Sequence, residues 1–383
     1  MKEAQTFEQF NQKLADFYAD RIYPKSKFKI GNLYKVADIF CGAGGLSYGF
    51  SMHPYFELIW ANDIDKDAIL SYQANHKETQ TILCDIAQLD CHNLPRIPID
   101  ILLGGPPCQS YSTLGKRKMD EKANLFKEYL RLLDLVKPKI FVFENVVGLM
   151  SMQKGQLFKQ ICNAFKERGY ILEHAILNAL DYGVPQMRER VILVGALKSF
   201  KQKFHFPKPT KMHFSLKDAL GDLPPIQSGE NGDALGYLKN ADNVFLEFVR
   251  NSKELSEHSS PKNNEKLIEI MQTLKDGQSK DDLPESLRPK SGYINTYAKM
   301  WWEKPAPTIT RNFSTPSSSR CIHPRDSRAL SIREGARLQS FPDNYKFCGS
   351  ASAKRLQIGN AVPPLLSAAL AHAVFDFLRG KNV

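Results

Sequence analysis

Seven short apolar runs, separated by stretches of helical periodicity, constrain this chain more than any other feature. Between residues 35 and 195 they read KVADIF, FELIWAND, TILCDI, IDILLGG, KIFVFENV, YILEHAIL and RVILVGAL. In segment 124–136, Leu125, Tyr129, Leu132, Leu133 and Val136 recur at helical spacing; segment 155–169 is a second helical stretch, closed by Gly169. Continuous apolar strands alternating with helices predict an α/β domain with a mostly parallel sheet covered on both faces. NALDYGVPQMRE, which joins the last two runs, is too short for a helical crossover, so those strands are expected to be antiparallel at one edge.

Near residue 201 the rhythm breaks. Residues 198–217 carry six lysines, at 198, 201, 203, 208, 211 and 217, and helical pieces are expected only near 243–255 and 263–275. This predicts a second, smaller and irregular domain. Helical patterns return in SIREGARLQS and in PPLLSAALAHAVFDFL, which has a proline at a plausible first helical position. An opening helix is expected from Phe7, Phe10, Leu14, Phe17 and Tyr18 on one face. The expected organisation is a helical extension over 1–30, a ligand-binding domain over 31–203, a second domain over 204–310, and a segment 311–383 returning to the first.

Composition narrows the functional classes. A formal charge of +11 favours a polyanionic partner. The first residues lack an apolar signal core and no run of 18 apolar residues occurs, so a soluble cytoplasmic protein without a membrane partner is expected. Seven cysteines, at 41, 84, 91, 108, 162, 321 and 348, never form a CxxC pair; this fits reduced thiols and argues against a structural zinc.

In an open α/β sheet, ligands bind beyond the carboxyl ends of the strands. DIFCGAGGLSYGF places Gly42, Gly44 and Gly45 there, NDID ends the second strand with Asp63, and CDI ends the third with Asp85. The spacing G-x-G-G departs from the G-x-G-x-x-G of dinucleotide sites and suits a nucleoside without a pyrophosphate, which disfavours a nicotinamide oxidoreductase. Asp63 would then suit ribose hydroxyls. An acid at the third strand end would suit an adenine amino group, as in S-adenosylmethionine enzymes. Further along, GGPPCQSYSTLGKR stiffens the backbone before Cys108, FENVVGL brings Glu144 to the same sheet edge, and QMRERVILVG sets Arg188 and Arg190 two residues apart, predicting a shared strand face. A nucleophilic thiol needs a fixed position and a positive field, because an ordinary one is only a few per cent ionised at neutral pH.

Taken in order, DIFCGAGGLSYGF, NDID, CDI, GGPPCQSYSTLGKR, FENVVGL, QMRERVILVG, HPRDSRALSIREGARLQSFPD and QIGNAVPPLLSAAL closely resemble the motifs of the cytosine-5 DNA methyltransferases over residues 35–200 and 305–375. Tyr111 stands where phenylalanine is commoner and Asp63 where glutamate is frequent. The resemblance implies a Rossmann-like S-adenosylmethionine-dependent fold with a target-recognition domain over 204–310, no metal, and S-adenosyl-L-homocysteine as by-product. It implies that Cys108 adds to carbon 6 of cytosine while Glu144 protonates or hydrogen-bonds ring nitrogen 3, with Arg190 and more loosely Arg188 holding the base and Glu144. Carbon 5 then attacks the methyl group and proton loss expels the thiol; the group taking that proton is left unassigned. Phe40, Gly42, Gly44, Gly45, Asp63, Ile64, Asp85, Ile86, Pro107 and Leu125 would line the cofactor, with Asn360 and Ala361 closing it.

A base stacked in a duplex is out of reach of a pocket thiol, so the target cytosine must flip out. The loop carrying Ser110, Ser112, Lys116 and Arg117 is expected to close over it and touch phosphates, and Thr308, Thr310 and Arg311 are expected DNA contacts. The partner is then double-stranded DNA, bound by a monomer, with a restriction endonuclease as functional counterpart. A transfer-RNA cytosine methyltransferase is the rival on the same motifs; the Cys-Phe-Thr tripeptide of that branch is missing from the variable region.

Overall fold

Why β-branched and aromatic runs settle into a sheet here is plain from where they end up: Val36, Ile101, Ile140, Phe141, Val191 and Val194 are wholly buried. The computed structural model describes residues 33–107, 125–210, 212–290 and 295–380. The expected opening helix, Cys108, and the loop residues Ser110, Ser112, Lys116 and Arg117 lie outside the described residues.

The described residues group into two compact units. The first takes residues 33–107, 125–178, Glu189–Pro209 and 366–380. Its sheet has strands β1 (Tyr34–Ile39), β2 (Phe56–Asp63), β3 (Gln80–Leu83), β4 (Ile101–Gly104), β5 (Ile140–Val146), β6 (Tyr170–Asn178) and β7 (Glu189–Leu197). Their order across the sheet is β3-β2-β1-β4-β5-β7-β6. The five strands β1 to β5 pair in parallel, and β7 runs antiparallel to both β5 and β6. The expected antiparallel pairing of the last two strands is therefore present, with β7 inserted between β5 and β6.

Four helices of this unit are α1 (Gly45–Ser51), α2 (Lys66–Asn75), α3 (Leu125–Val136) and α4 (Gln156–Glu167). Tyr129, Leu132 and Leu133 of α3 and Leu157, Ile161 and Phe165 of α4 form one core with Ala37, Ile39, Phe141 and Phe143 from the sheet. The alternate residues of β1 face the other way, where Ser47 of α1 donates to Asp38 (2.5 Å) and Tyr72 of α2 donates to Ser47 (2.7 Å). Both faces are thus covered, as continuous apolar strands require.

The second unit takes Ala179–Arg188 and Thr210–Leu365. It is poor in regular structure: helices α5 (Leu216–Leu220), α6 (Val244–Val249), α7 (Glu265–Thr273), α8 (Ile332–Leu338) and α9 (Ala351–Asn360), and the short parallel pair β8 (Ala298–Lys299) and β9 (Arg320–Ile322). A last helix, α10 (Pro364–Leu378), spans the boundary in sequence. The boundary after this unit falls at Leu365 instead of 310, and the unit also takes in Ala179–Arg188. The physical reason is a polar block around α8. Arg337 bonds both Asp222 (2.5 Å) and Asp343 (2.6 Å), and Arg328 bonds Asp326 and Glu334, both at 2.7 Å. Arg328, Glu334 and Arg337 are at most 1% exposed, so these charges are tolerable only because each has its partner. The arginines of SIREGARLQS are framework, which their spacing alone does not reveal.

Candidate active site

The parallel strands all end at one edge, and the loops leaving them carry the unusual backbone. Phe40 holds φ at 55°, left-handed for a bulky residue, and Gly42 and Gly44 follow at 54° and 91°. Such strain persists only where surrounding structure over-determines it. At Gly44 the cause is visible: a β-carbon there would stand 2.7 Å from Nε2 of His76 and 2.9 Å from the Tyr72 ring. At Gly42 the space is open, with nothing within 4 Å of where a β-carbon would be. Gly42 therefore leaves a cradle in front of the loop, and Gly44 lets the loop sit down on α2.

Asp63, at the end of β2, fixes this loop. Its carboxylate accepts from Gly42 N at 2.8 Å and from Asp65 N at 2.9 Å. Burial raises its pKa, and those backbone donors pull the other way. Ile64 beside it is 68% exposed, an apolar surface at the strand end. Asp85 caps the short turn that follows β3 by accepting from Ala87 N at 3.0 Å. Arg131 of α3 holds the same turn through Ile86 O (2.8 Å) and Leu89 O (2.6 Å). Asn62 ties β2 to the end of β3 through Ile82 O and Cys84 O. Ile86 is turned into the core, and Leu125 packs partly against it at the start of α3.

Beneath the loop, burial pushes Asp38 up to about 7, and it drives His76 down to about 4. Neither group was singled out from sequence, although an acid in the middle of KVADIF is a signal that could have found Asp38.

Further along the edge, Nε of Arg190 lies 2.8 Å from Oε1 of Glu144, and both side chains are little exposed. Arg190 opposes Val146, the last residue of β5, across the antiparallel ladder. Gly105 makes room for the pair: a β-carbon there would stand 2.9 Å from Oε2 of Glu144. Asn145 donates to Pro106 O at 2.9 Å, fixing the Gly105–Pro106–Pro107 stretch to the end of β5. Pro107 is joined directly to Cys108.

Arg188 meets other partners than Arg190. It is wholly buried and precedes β7. It donates to Ile309 O, Gly359 O and Ala361 O, each at 2.9 Å. The expectation of a shared strand face fails because the strand starts only at Glu189. In the same unit Thr308 donates to Met187 O (2.7 Å), while Thr310, Arg311 and Asn360 are exposed. Among the described residues no group of His, Cys, Asp or Glu is placed to hold a metal ion.

Comparison with known proteins gives concordant matches. The family model for C-5 cytosine-specific DNA methylases matches residues 34–376. The chain is 35% identical to the Type II methyltransferase M1.HphI of Haemophilus parahaemolyticus, over 88% of this chain and 85% of that one. It is 36% identical to the Type II methyltransferase M.DdeI of Desulfomicrobium norvegicum, over 91% and 90%. Among solved structures, a prophage-encoded DNA-modification protein of E. coli is similar with a TM-score of 0.74 at 25% identity, covering 90% of this chain and 99% of that one. The Entamoeba histolytica methyltransferase EhMeth shares the fold, with a TM-score of 0.61 at 20% identity, over 91% and 99%.

Proposed function

We propose, since this chain belongs to the C-5 cytosine-specific DNA methylase family, that it methylates carbon 5 of a cytosine turned out of duplex DNA, at a specific sequence. The observation that carries this reading is the Glu144–Arg190 pair, held at the strand edge beside the tethered Gly105–Pro106–Pro107 that leads into Cys108. The relatives named as Type II methyltransferases support a role in protecting host DNA beside a restriction endonuclease; the enzyme is assigned to the cytoplasm as a monomer.

The residues fit S-adenosylmethionine as methyl donor. The open cradle at Gly42, the exposed apolar Ile64 and the carboxylates of Asp63 and Asp85 suit a nucleoside with free hydroxyls and an exocyclic amine. When bound, it supplies an electrophilic methyl group. Phe40, Gly42, Asp63, Ile64 and Asp85 would hold its nucleoside part, Gly44 and Gly45 shape the loop, and Asn360 and Ala361 are assigned to the same ligand. Ile86 and Leu125 support that pocket from the core.

On the protein side, Glu144 hydrogen-bonds or protonates nitrogen 3 of the flipped base, which makes carbon 6 electrophilic. Arg190 keeps the Glu144 carboxyl turned to the base, through a charge-assisted bond that a low local dielectric strengthens. Cys108 Sγ forms the bond to carbon 6, and that bond breaks again when carbon 5 loses its proton. Ser110, Ser112, Lys116, Arg117, Thr310 and Arg311 are assigned to DNA. Thr308 acts through its bond to Met187. Segment 204–310 is assigned to reading the target sequence.

The test uses labelled S-adenosylmethionine with unmethylated duplex DNA and, separately, with transfer RNA. Label is expected in DNA cytosine; label only in RNA would overturn the DNA assignment. DNA containing 5-fluorocytosine should trap a covalent adduct, because fluorine cannot leave as a proton. An adduct that still forms with Cys108→Ala would refute the nucleophile.

A further inference from the structure

The wholly buried Arg188 joins two stretches that the proposed function assigns to different ligands. Its Nη2 donates to Gly359 O and Ala361 O, carbonyls at the C-terminus of α9, where a cation is favoured by the helix dipole. Its Nη1 donates to Ile309 O. The two stretches also touch directly. A β-carbon on Gly359 would stand 2.3 Å from Arg311 N and 2.5 Å from Thr310 C, so no methyl group fits between them. Gln186 reinforces the block by accepting from Ile309 N (2.9 Å) and donating to Leu338 O (2.6 Å) and Gln339 Oε1 (2.7 Å). Gln339 in turn donates to Ile358 O at 2.5 Å.

The exposed Thr310 and Arg311 therefore cannot shift without displacing the end of α9 that carries Asn360 and Ala361. We infer that Arg188 is a positioning residue that couples cofactor binding to DNA binding, by making the segments 309–311 and 359–361 move as one piece. This rests on the reading that assigns Thr310 and Arg311 to DNA and Asn360 and Ala361 to the cofactor. Lysine cannot replace the arginine: its single ammonium lacks the planar fork that spans three carbonyls.

The experiment measures the dissociation constant of a labelled duplex with and without saturating S-adenosylhomocysteine. The duplex carries the methylated sequence, found beforehand by sequencing DNA treated with the enzyme. The wild type should bind DNA about 10-fold more tightly with S-adenosylhomocysteine, within the usual range of coupling between sites. In Arg188→Lys that factor should fall to within about 2-fold of unity. A wild-type factor of one, or an unchanged factor in Arg188→Lys, overturns the inference. Loss of thermal stability alone would not lower the factor. If Arg188→Lys does not fold, Gly359→Ala forces the same contact apart with the arginine in place, and an unchanged factor there is equally fatal. Asn360→Ala and Arg311→Ala, each tested with its own ligand alone, check the underlying assignment. If neither weakens its ligand, that assignment fails and the coupling model goes with it. If both do while Arg188→Lys keeps the wild-type factor, only the coupling fails.

Discussion

Gly105→Ala isolates the placement of Glu144. Gly105 is not among the glycines with positive φ, so alanine meets no backbone strain there and only the added methyl matters. That methyl would stand 2.9 Å from Oε2 of Glu144, 3.4 Å from its carbonyl oxygen and 3.8 Å from its β-carbon. Ordinary carbon–oxygen contact begins several tenths of an ångström further out. The carboxyl cannot simply swing away, because Nε of Arg190 holds the other oxygen at 2.8 Å. A displacement approaching 1 Å at a reacting group costs about 10²-fold in rate, so single-turnover methyl transfer should slow by about 10- to 100-fold. That is about 1.4 to 2.7 kcal/mol of barrier. Overpacking should cost about 1–3 kcal/mol of stability, so the assay runs well below the melting temperature. Rates come from labelled S-adenosylmethionine and excess enzyme on unmethylated plasmid DNA, with DNA affinity measured in parallel. A rate within about 2-fold of wild type would refute the idea that Gly105 exists to admit the carboxyl.

Other outcomes follow from the same contacts. Glu144→Gln should lower single-turnover rate by about 10²- to 10⁴-fold, the usual worth of a positioned acid, while DNA still binds in a mobility-shift assay. Gly42→Ala should weaken S-adenosylhomocysteine binding by calorimetry and lower the melting temperature modestly, because its φ of 54° is left-handed; Gly44→Ala should lower it further, since its methyl also meets His76 and Tyr72. Arg337→Ala removes the nearest cation from the buried Asp222 and Asp343, leaving them only the longer pairs to Arg250 (3.6 Å) and Arg333 (3.9 Å), and should destabilise the protein by about 3 kcal/mol in urea unfolding, if it folds at all. Asp38 ionises from 3.8 when unfolded but only at about 7 when folded, so it binds a proton more tightly in the native state and its stabilising effect fades as pH rises through that window. Asp38→Asn should therefore gain stability relative to wild type between about pH 4 and 7, by at most about 1.4 kcal/mol per pH unit; a flat difference would show that the buried carboxyl does not titrate there.

The fold and the sheet edge that carries Glu144 were legible because they depend on local chemistry. Runs such as KIFVFENV can be satisfied only as buried strands, and Glu144 directly after such a run marks the edge where strands end. The framework roles were not legible, because they depend on which main-chain atoms lie nearby. Arg188 and Arg190 are the same residue type two positions apart; one wholly buried and bonded to three carbonyls, the other meeting a carboxylate. Sequence spacing puts both on one face only if the strand begins before Arg188, and it begins after it. Asn145, Asn62 and Arg131 escaped for a similar reason. Each fixes a loop through a backbone carbonyl, and no side-chain pattern announces a carbonyl.

The reversal of β7 is what allows a basic residue to meet Glu144. In a sheet of parallel strands, side chains at the carboxyl edge come from strand ends, and at its other end β7 pairs Ala196 with Ile140 and Leu197 with Tyr170. A parallel β7 would begin at that remote edge, opposite Ile140, and leave Arg190 about 13–15 Å from Glu144, at about 3.3 Å per residue along the strand. Running backwards, β7 instead starts at the reacting edge, opposite Val146. The same reversal sends the lysines that follow β7, Lys198, Lys201 and Lys203, to the far edge of the sheet, away from the glutamate. These lysines are thus poorly placed to act on a base beside Glu144. Replacing all three by glutamine should weaken DNA binding at low salt but leave the single-turnover rate at saturating DNA within about 2-fold; a larger fall in that rate would mean that charge at the far edge reaches the reaction.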